Sequence, residues 1–163
     1  SGTCLFVQGK DKAWIGVGGK EAKVYASTDI GETWKSYSSG MFEGGAMRGV
    51  YSLAFKDELN GIAVGGEWRN EAPPQSRAYT KDGGKTWMLG QGVNQYRSGC
   101  AYAYDNIYIA TGLTGTDISY DGGENWELLS DLKLHGLEFT KTKGIAYAMG
   151  SKGQIYRLKI TAN

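Results

Sequence analysis

Proline occurs twice, cysteine twice and histidine once in the 163 residues, and each shortage excludes something. A single histidine, His135, with no Cys or His at useful spacing, cannot assemble the three or four ligands of a zinc centre, so no metal site is expected. Charge of one sign is also missing. Eighteen Lys+Arg against seventeen Asp+Glu leave a net charge of +1, too little to hold a phosphate backbone, so nucleic acid is not an expected partner. No run of 18 apolar residues exists to span a membrane as a helix, and no 3.6-residue hydrophobic period persists over a useful window. The cluster Gly16-Val17-Gly18-Gly19 ends a strand-like stretch with no helix after it, so it is not a dinucleotide fingerprint, and no cofactor is expected. The sequence opens at Ser1 without a start Met or an apolar signal segment, which reads as a start inside something longer.

What is abundant is glycine, 26 residues, together with eleven Tyr and five Trp. That balance suits many short strands joined by tight turns, an all-β chain. A repeat organises it. Ser27-Thr28-Asp29-Ile30-Gly31-Glu32-Thr33-Trp34, Thr80-Lys81-Asp82-Gly83-Gly84-Lys85-Thr86-Trp87 and Ser119-Tyr120-Asp121-Gly122-Gly123-Glu124-Asn125-Trp126 align without gaps, their Asp residues 53 and then 39 residues apart. An Asp carboxylate can accept backbone amides just ahead of it and close an Asx-type turn. The Gly two positions on supplies positive φ, the Ser/Thr hydroxyl ties the turn to the incoming strand, and the Trp packs against neighbouring strands. Asp29, Gly31, Trp34, Asp82, Gly84, Trp87, Asp121, Gly123 and Trp126 are therefore expected to hold the fold and not to catalyse.

These octamers resemble the Asp-box, or BNR repeat, of sialidases and related β-propellers, a resemblance that places each box between the third and fourth strands of a four-stranded blade. The stretches around Arg97-Ser98-Gly99-Cys100-Ala101-Tyr102, Gly115–Gly123 and Gly49-Val50-Tyr51-Ser52-Leu53-Ala54-Phe55 further resemble bacterial propellers similar to the photosystem II stability/assembly factor. Such proteins are often labelled oxidoreductases, a label for which this sequence offers no motif. Blades are expected over about 4–40, 48–92, 97–131 and 135–160 of a single unit spanning 1–163. Leu137–Thr140, Gly144–Gly150 and Gln154–Ile160 give the last blade three strands and no outer one. A strand from elsewhere would have to complete it, either from a missing N-terminal half or by self-association, and the chain reads as the C-terminal part of a larger propeller. Cys4 and Cys100, a blade apart, lie too far apart for a disulfide and are expected to be reduced, buried and inert.

In a propeller the loops before the innermost strands and those joining second to third strands share one face. The first set carries Arg48, Arg97 and His135. The second includes a loop much longer than the rest, Glu67-Trp68-Arg69-Asn70-Glu71-Ala72-Pro73-Pro74-Gln75-Ser76. Arg48, Arg97, His135, Trp68, Arg69, Arg77 and Glu67 are the candidate ligand-binding residues, the guanidinium forks suiting a sialic acid, a uronic acid or a protein carboxylate. The competing reading is that these arginines pair with Glu67, Glu71 or Asp105 and only stitch loops together.

Two functions stay open. The assembly-factor resemblance implies a non-catalytic propeller that recognises a protein or peptide on its loop-rich face. The sialidase resemblance implies an acidic-glycan binding or hydrolysing protein, with Tyr96, Tyr51 and Glu67 as position-only candidates for chemistry and no motif tying them together. Asp-box proteins are mostly exported, so the resemblance implies an extracytoplasmic location, periplasmic or secreted.

Overall fold

The computed structural model describes residues 4–69, 75–93 and 95–161. The sequence folds as four antiparallel sheets in chain order: β1 (Leu5–Gln8), β2 (Lys12–Val17), β3 (Lys23–Ser27) and β4 (Lys35–Ser38); β5 (Val50–Phe55), β6 (Gly61–Gly65), β7 (Arg77–Thr80) and β8 (Met88–Leu89); β9 (Gln91–Gly92), then β10 (Gly99–Tyr104), β11 (Ile107–Gly112), β12 (Gly115–Ser119) and β13 (Asn125–Ser130); and β14 (Leu134–Phe139), β15 (Ile145–Gly150) and β16 (Ile155–Lys159). In each of the first three sheets four principal strands pair in sequence order, the up-and-down arrangement of a propeller blade, and among the described residues the fourth has three. The innermost strands β1, β5, β10 and β14 pack in succession, each on the next.

Alternation along the strands gives every blade two apolar faces, one toward the blade before it and one toward the blade after it. Facing forward are Trp14, Gly16, Val24 and Ala26 in the first blade, Ile62, Val64, Arg77 and Tyr79 in the second, and Ile109, Thr111, Thr116 and Ile118 in the third. Ten of these twelve are buried, and Ala26 and Tyr79 half-buried, because the next blade covers them. The first interface is a ring stack: Trp14 lies on Phe55 of the second blade with centroids 4.1 Å apart and planes at 19°. The second gathers Ala54, Ile62 and Val64 against Cys100, Tyr108, Ala110 and Trp126. The third sets Ile109 and Ile118 against Leu134, Leu137 and Ala148.

The octamers lie between the third and fourth strands of the first three blades. In each, one carboxylate oxygen accepts a backbone N–H from four residues ahead: Thr33 to Asp29 at 3.0 Å, Thr86 to Asp82 at 2.9 Å, Asn125 to Asp121 at 2.9 Å. The other oxygen accepts the side chain of that same residue. The Ser27, Thr80 and Ser119 hydroxyls donate to the carboxylates and accept the N–H of Gly31, Gly84 and Gly123, whose φ values are 83°, 84° and 96°. Each Trp indole N–H donates to that glycine's carbonyl at 2.9–3.0 Å, which fixes the ring and leaves its faces free to be covered.

Some strand boundaries depart from the expected ones. β4 and β8, expected from Thr33 and Thr86, begin two residues later, at Lys35 and Met88. The stretch at 91–92, expected in the second blade, belongs instead to the third sheet. There β9 pairs parallel with β13, Gln91 beside Asn125 and Gly92 beside Trp126, making that sheet five-stranded. The fourth blade's inner strand starts at Leu134, three residues earlier than expected, with its register shifting between Leu134 and Gly136.

Two neighbouring glycines separate turn geometry from blade packing. Both have positive φ, but a Cβ on Gly122 would meet nothing within 4 Å, whereas one on Gly123 would lie 2.5 Å from Ile62 Cγ2 of the preceding blade. Gly122→Ala should cost about 1 kcal/mol of stability from backbone strain alone. Gly123→Ala should cost roughly 3 kcal/mol, the added part coming from overpacking. Urea denaturation of the two variants reads the difference, and equal losses would contradict this packing.

Candidate functional site

The loops preceding β5 and β10 and the β2–β3 and β6–β7 connections meet on one side of the blade row, while the octamers close against the first-to-second-strand turns on the other. On the octamer side, Ile30, Gly83 and Gly122 donate their N–H groups to Asp11, Leu59 and Asn106. On the loop side, Gly44 and Gly45 donate to Gly19 O, Gly19 to Arg48 O, and Arg97 to Gly65 O.

The structure sorts the candidate arginines into two kinds. Arg48 is half-buried at the mouth of the loop face. Its Nε donates to Glu67 Oε2 at 2.9 Å, its Nη1 to Glu43 O at 3.3 Å, and its guanidinium lies 4.2 Å from the Phe42 ring centroid. Arg97 and Arg77 are corrected: they do not line an open mouth. Both are fully buried and converge on Asp117 of β12, which is itself buried. Arg97 grips it bidentately, Nε to Oδ2 and Nη2 to Oδ1, both at 2.7 Å, while Arg77 reaches Oδ2 from the second blade at 3.0 Å. Arg97 also donates to Tyr96 O, Thr114 Oγ1 and Gln95 Oε1. Arg77 spreads over the Trp126 ring at 5.1 Å. Burial pushes the Arg77 guanidinium below its usual range, opposed by the attraction of Asp117. Sequence reasoning missed Asp117, whose only signal was its place on the third strand, two residues before the octamer, opposite Ala110 in the β11 register.

Pairing with Glu67 is thus what Arg48 does, whereas Asp105 goes to Lys143 at 3.2 Å and Glu71 lies outside the described residues. Beside the Arg48–Glu67 pair stand Trp68 and Arg69. Trp68 is 48% exposed, its indole N–H 3.0 Å from Met47 Sδ and its ring 4.8 Å from the Arg69 guanidinium. Tyr51 and Tyr96 meet edge-to-face at 5.1 Å just below. The Tyr51 hydroxyl donates to Met47 O at 2.8 Å and not to Glu67. Burial pushes the Tyr96 phenol up to about 12 and raises that of Tyr51, with the Glu67 charge adding to the latter. A shallow groove of about 220 Å³ runs alongside, lined by Cys4, Val17, Ala46, Arg48 and Tyr51 among others.

His135 departs from its expected place. It sits within β14, exposed on the strand and not in a loop before it. No disulfide joins the two cysteines. Cys100 is buried and its thiol pushed up to about 12, while Cys4 is only half-buried and borders the groove, so the expectation of two buried thiols holds for one. Among the described residues no group of three His, Cys, Asp or Glu is placed to hold a metal ion, and no helix is long and apolar enough to cross a membrane.

This architecture is that of β-propeller blades. No family model matches the chain, and no curated protein is similar enough to count as a relative. Solved structures do match. The structure of YCF48 bound to a D1 peptide superposes with a TM-score of 0.64 at 16% identity, over 93% of this chain and 49% of that one. The Niastella koreensis GH74 enzyme gives 0.63 at 16%, over 91% and 27%, and the computationally designed Ika4 protein 0.63 at 14%, over 94% and 88%. The chain thus spans about half the length of the YCF48 propeller and about a quarter of the GH74 enzyme.

The buried triad gives a direct test. Asp117→Asn keeps the shape but leaves two guanidinium groups buried without a counter-charge, and should lower stability by about 3 kcal/mol or more. A change in the urea midpoint worth less than about 0.5 kcal/mol would mean that the triad is not the cross-link between the second and third blades.

Proposed function

We propose that the protein is a binding module that takes a protein or peptide segment on its loop-rich face, at the patch formed by Arg48, Glu67, Trp68 and Arg69. The observation that carries this reading is the half-exposed Trp68 held edge-on by Met47 and flanked by Arg69, next to a groove floored by Tyr51. Exposed Trp and Arg side by side are the residue types that dominate protein hot spots. The similarity to a propeller solved with a peptide bound adds support at the level of fold. The extracytoplasmic location implied by the octamers belongs to the same proposal.

The glycan alternative rests on the likeness to GH74 enzymes and on Arg48. Two observations favour binding over sialidase-type hydrolysis. The Tyr51 proton is given to a backbone carbonyl while Glu67 is occupied by Arg48, so this Tyr–Glu pair is not arranged as nucleophile and base. Two of the four candidate arginines, Arg77 and Arg97, are spent on Asp117.

Panning a random peptide library on the immobilised protein tests the proposal. Enriched peptides should lose roughly 30-fold in affinity on Trp68→Ala, about 2 kcal/mol, and a comparable amount on Arg48→Ala, while Lys152→Ala on a separate turn should leave affinity unchanged. Enriched peptides indifferent to both substitutions, or none enriched while 3′-sialyllactose binds in an Arg48-dependent way, would overturn it in favour of the glycan reading or of no site on this face.

A further inference from the structure

The sequence has five tryptophans, and the indole N–H groups of four donate to backbone carbonyls: Trp14 to Gly83, Trp34 to Gly31, Trp87 to Gly84 and Trp126 to Gly123, at 2.9–3.0 Å. The fifth differs. Trp68 donates to Met47 Sδ at 3.0 Å. A thioether is a weak acceptor beside a carbonyl, so the tryptophan at the centre of the proposed patch has the softest hydrogen bond of the five. The main chain around Met47 is tied down. Gly44 and Gly45 donate to Gly19 O, the Arg48 N–H closes a turn on Gly45 O, and the Gly19 N–H returns to Arg48 O. Met47 O accepts the Tyr51 hydroxyl at 2.8 Å, so one residue orients two aromatic side chains, Tyr51 by its carbonyl and Trp68 by its sulfur. With the backbone fixed on either side, the sulfur is the adjustable part of this hold, and the ring it holds is 48% exposed. Sulfur is also the oxidisable part. Met41 is 2% exposed in the core and Met47 half-buried at the loop surface, while Met88 and Met149, 40% and 60% exposed, stand on β8 and β15.

We infer that Met47 is the positioning residue of the loop-face patch and a peroxide-sensitive one: oxidation of its thioether to the sulfoxide releases Trp68 and lowers the affinity of the patch for a peptide. The effect on affinity rests on the peptide-binding reading of the patch; the hold on Trp68 does not. In the oxidation a sulfur lone pair attacks one oxygen of the peroxide and the O–O bond breaks. With hydrogen peroxide, the departing hydroxide takes the proton of the transferred oxygen, leaving sulfoxide and water. Sulfur gives up two electrons and the peroxide gains them. The step turns an apolar, flexible side chain into a polar, chiral one. With 3.0 Å between Sδ and the indole nitrogen, no oxygen fits in line between them, so a sulfoxide oxygen turned toward Trp68 displaces the ring. A sulfoxide oxygen turned to water leaves the indole N–H facing an electron-poor sulfur. Either way the ring loses its present seat beside Arg48, Glu67 and Arg69.

Hydrogen peroxide is the probe, applied to the chain carrying Met88→Leu, Met149→Leu and Cys4→Ser, the last because that thiol borders the groove. Mass spectrometry should place one oxygen per chain, on Met47 and not on Met41. In nitrogen-15 NMR the Trp68 indole signal, assigned with Trp68→Phe, should shift on oxidation while the four carbonyl-bonded indole signals hold still. Methionine sulfoxide reductase with a dithiol should return it. Met47→Leu keeps the apolar bulk but has no acceptor, so its Trp68 signal should already be displaced and should ignore peroxide. Peptides enriched by panning should lose at least about tenfold in affinity on oxidation, regain it on reduction, and bind Met47→Leu as weakly as the oxidised chain. Circular dichroism checks that the substituted background folds; if it does not, the unmodified chain serves, with oxidation at Met47 read from its own fragment ions. A Trp68 signal unmoved by oxidation or by Met47→Leu would overturn the inference. So would peroxide that oxidises Met41 and spares Met47, or enriched peptides bound equally before and after. Panning that enriches nothing, with a Trp68 signal that shifts and returns, would instead sink the peptide-binding reading and uphold the role of Met47 in holding Trp68.

Discussion

Everything in this structure leans on one small interaction, the octamer carboxylate that accepts a backbone amide and a side chain from the residue four ahead. It is local, yet its consequences are not. By fixing the turn it aims the backbone carbonyl of Gly83 at the Trp14 indole of the preceding blade and sets Gly123 against Ile62 and Tyr79. The turn that ends a third strand is therefore the surface on which the previous blade packs. Lose the turn and the interface loses its shape with it. Because the Trp indole N–H is satisfied within the same turn, the ring can be buried without an orphaned donor, as Trp126 is.

The two sides of the blade row divide labour accordingly. The octamer side repeats, with the same residue types making the same bonds three times. The loop side does not repeat. Arg48, at the loop before β5, pairs with Glu67 at the surface, whereas Arg97, at the loop before β10, goes inward to Asp117. The difference is set by what the neighbouring strand offers. Asp117 stands on the backward face of the third blade, directly in reach of Arg77 on the forward face of the second, and a buried carboxylate there draws both cations away from solvent. That polar rivet joins the second and third blades and leaves the patch around Trp68 at the surface.

Much of the fold was legible from residues alone. The three octamers, with Asp29, Asp82 and Asp121 in register, announced blades, and alternation around them placed most strands within a residue or two. What stayed hidden was non-local. The late starts of β4 and β8 have no residue signal of their own, and the parallel pairing of β9 with β13 links segments some thirty residues apart that carry no pattern of their own. For the site, loop position grouped Arg48, Glu67, Trp68 and Arg69, which the structure joins in pairs, Arg48 with Glu67 and Arg69 with Trp68. It could not reveal that Arg77 and Arg97 share Asp117, because nothing in a sequence says which way an arginine beside a strand will turn. Nor could it show that His135 lies inside a strand, since the bulge near Gly136 is what carries β14 past it.

Direct titration of the octamer carboxyls tests the role given to them. Thr33's hydroxyl and amide, with Ser27, hold the Asp29 carboxyl down to about 2, and hydrogen bonds outweigh desolvation to lower those of Asp82 and Asp121 as well. A carboxyl lowered by folding stabilises the folded chain above its ordinary value and loses that contribution as pH falls through the lowered one. Carbon-13 NMR of the Asp side chains between about pH 5 and pH 1.5 should therefore show all three titrating below the ordinary Asp value of 3.8, Asp29 near 2, with stability falling over the same acid range. Octamer carboxyls titrating at or above the ordinary Asp value would contradict the account, since the turns would then be held by something other than these ions.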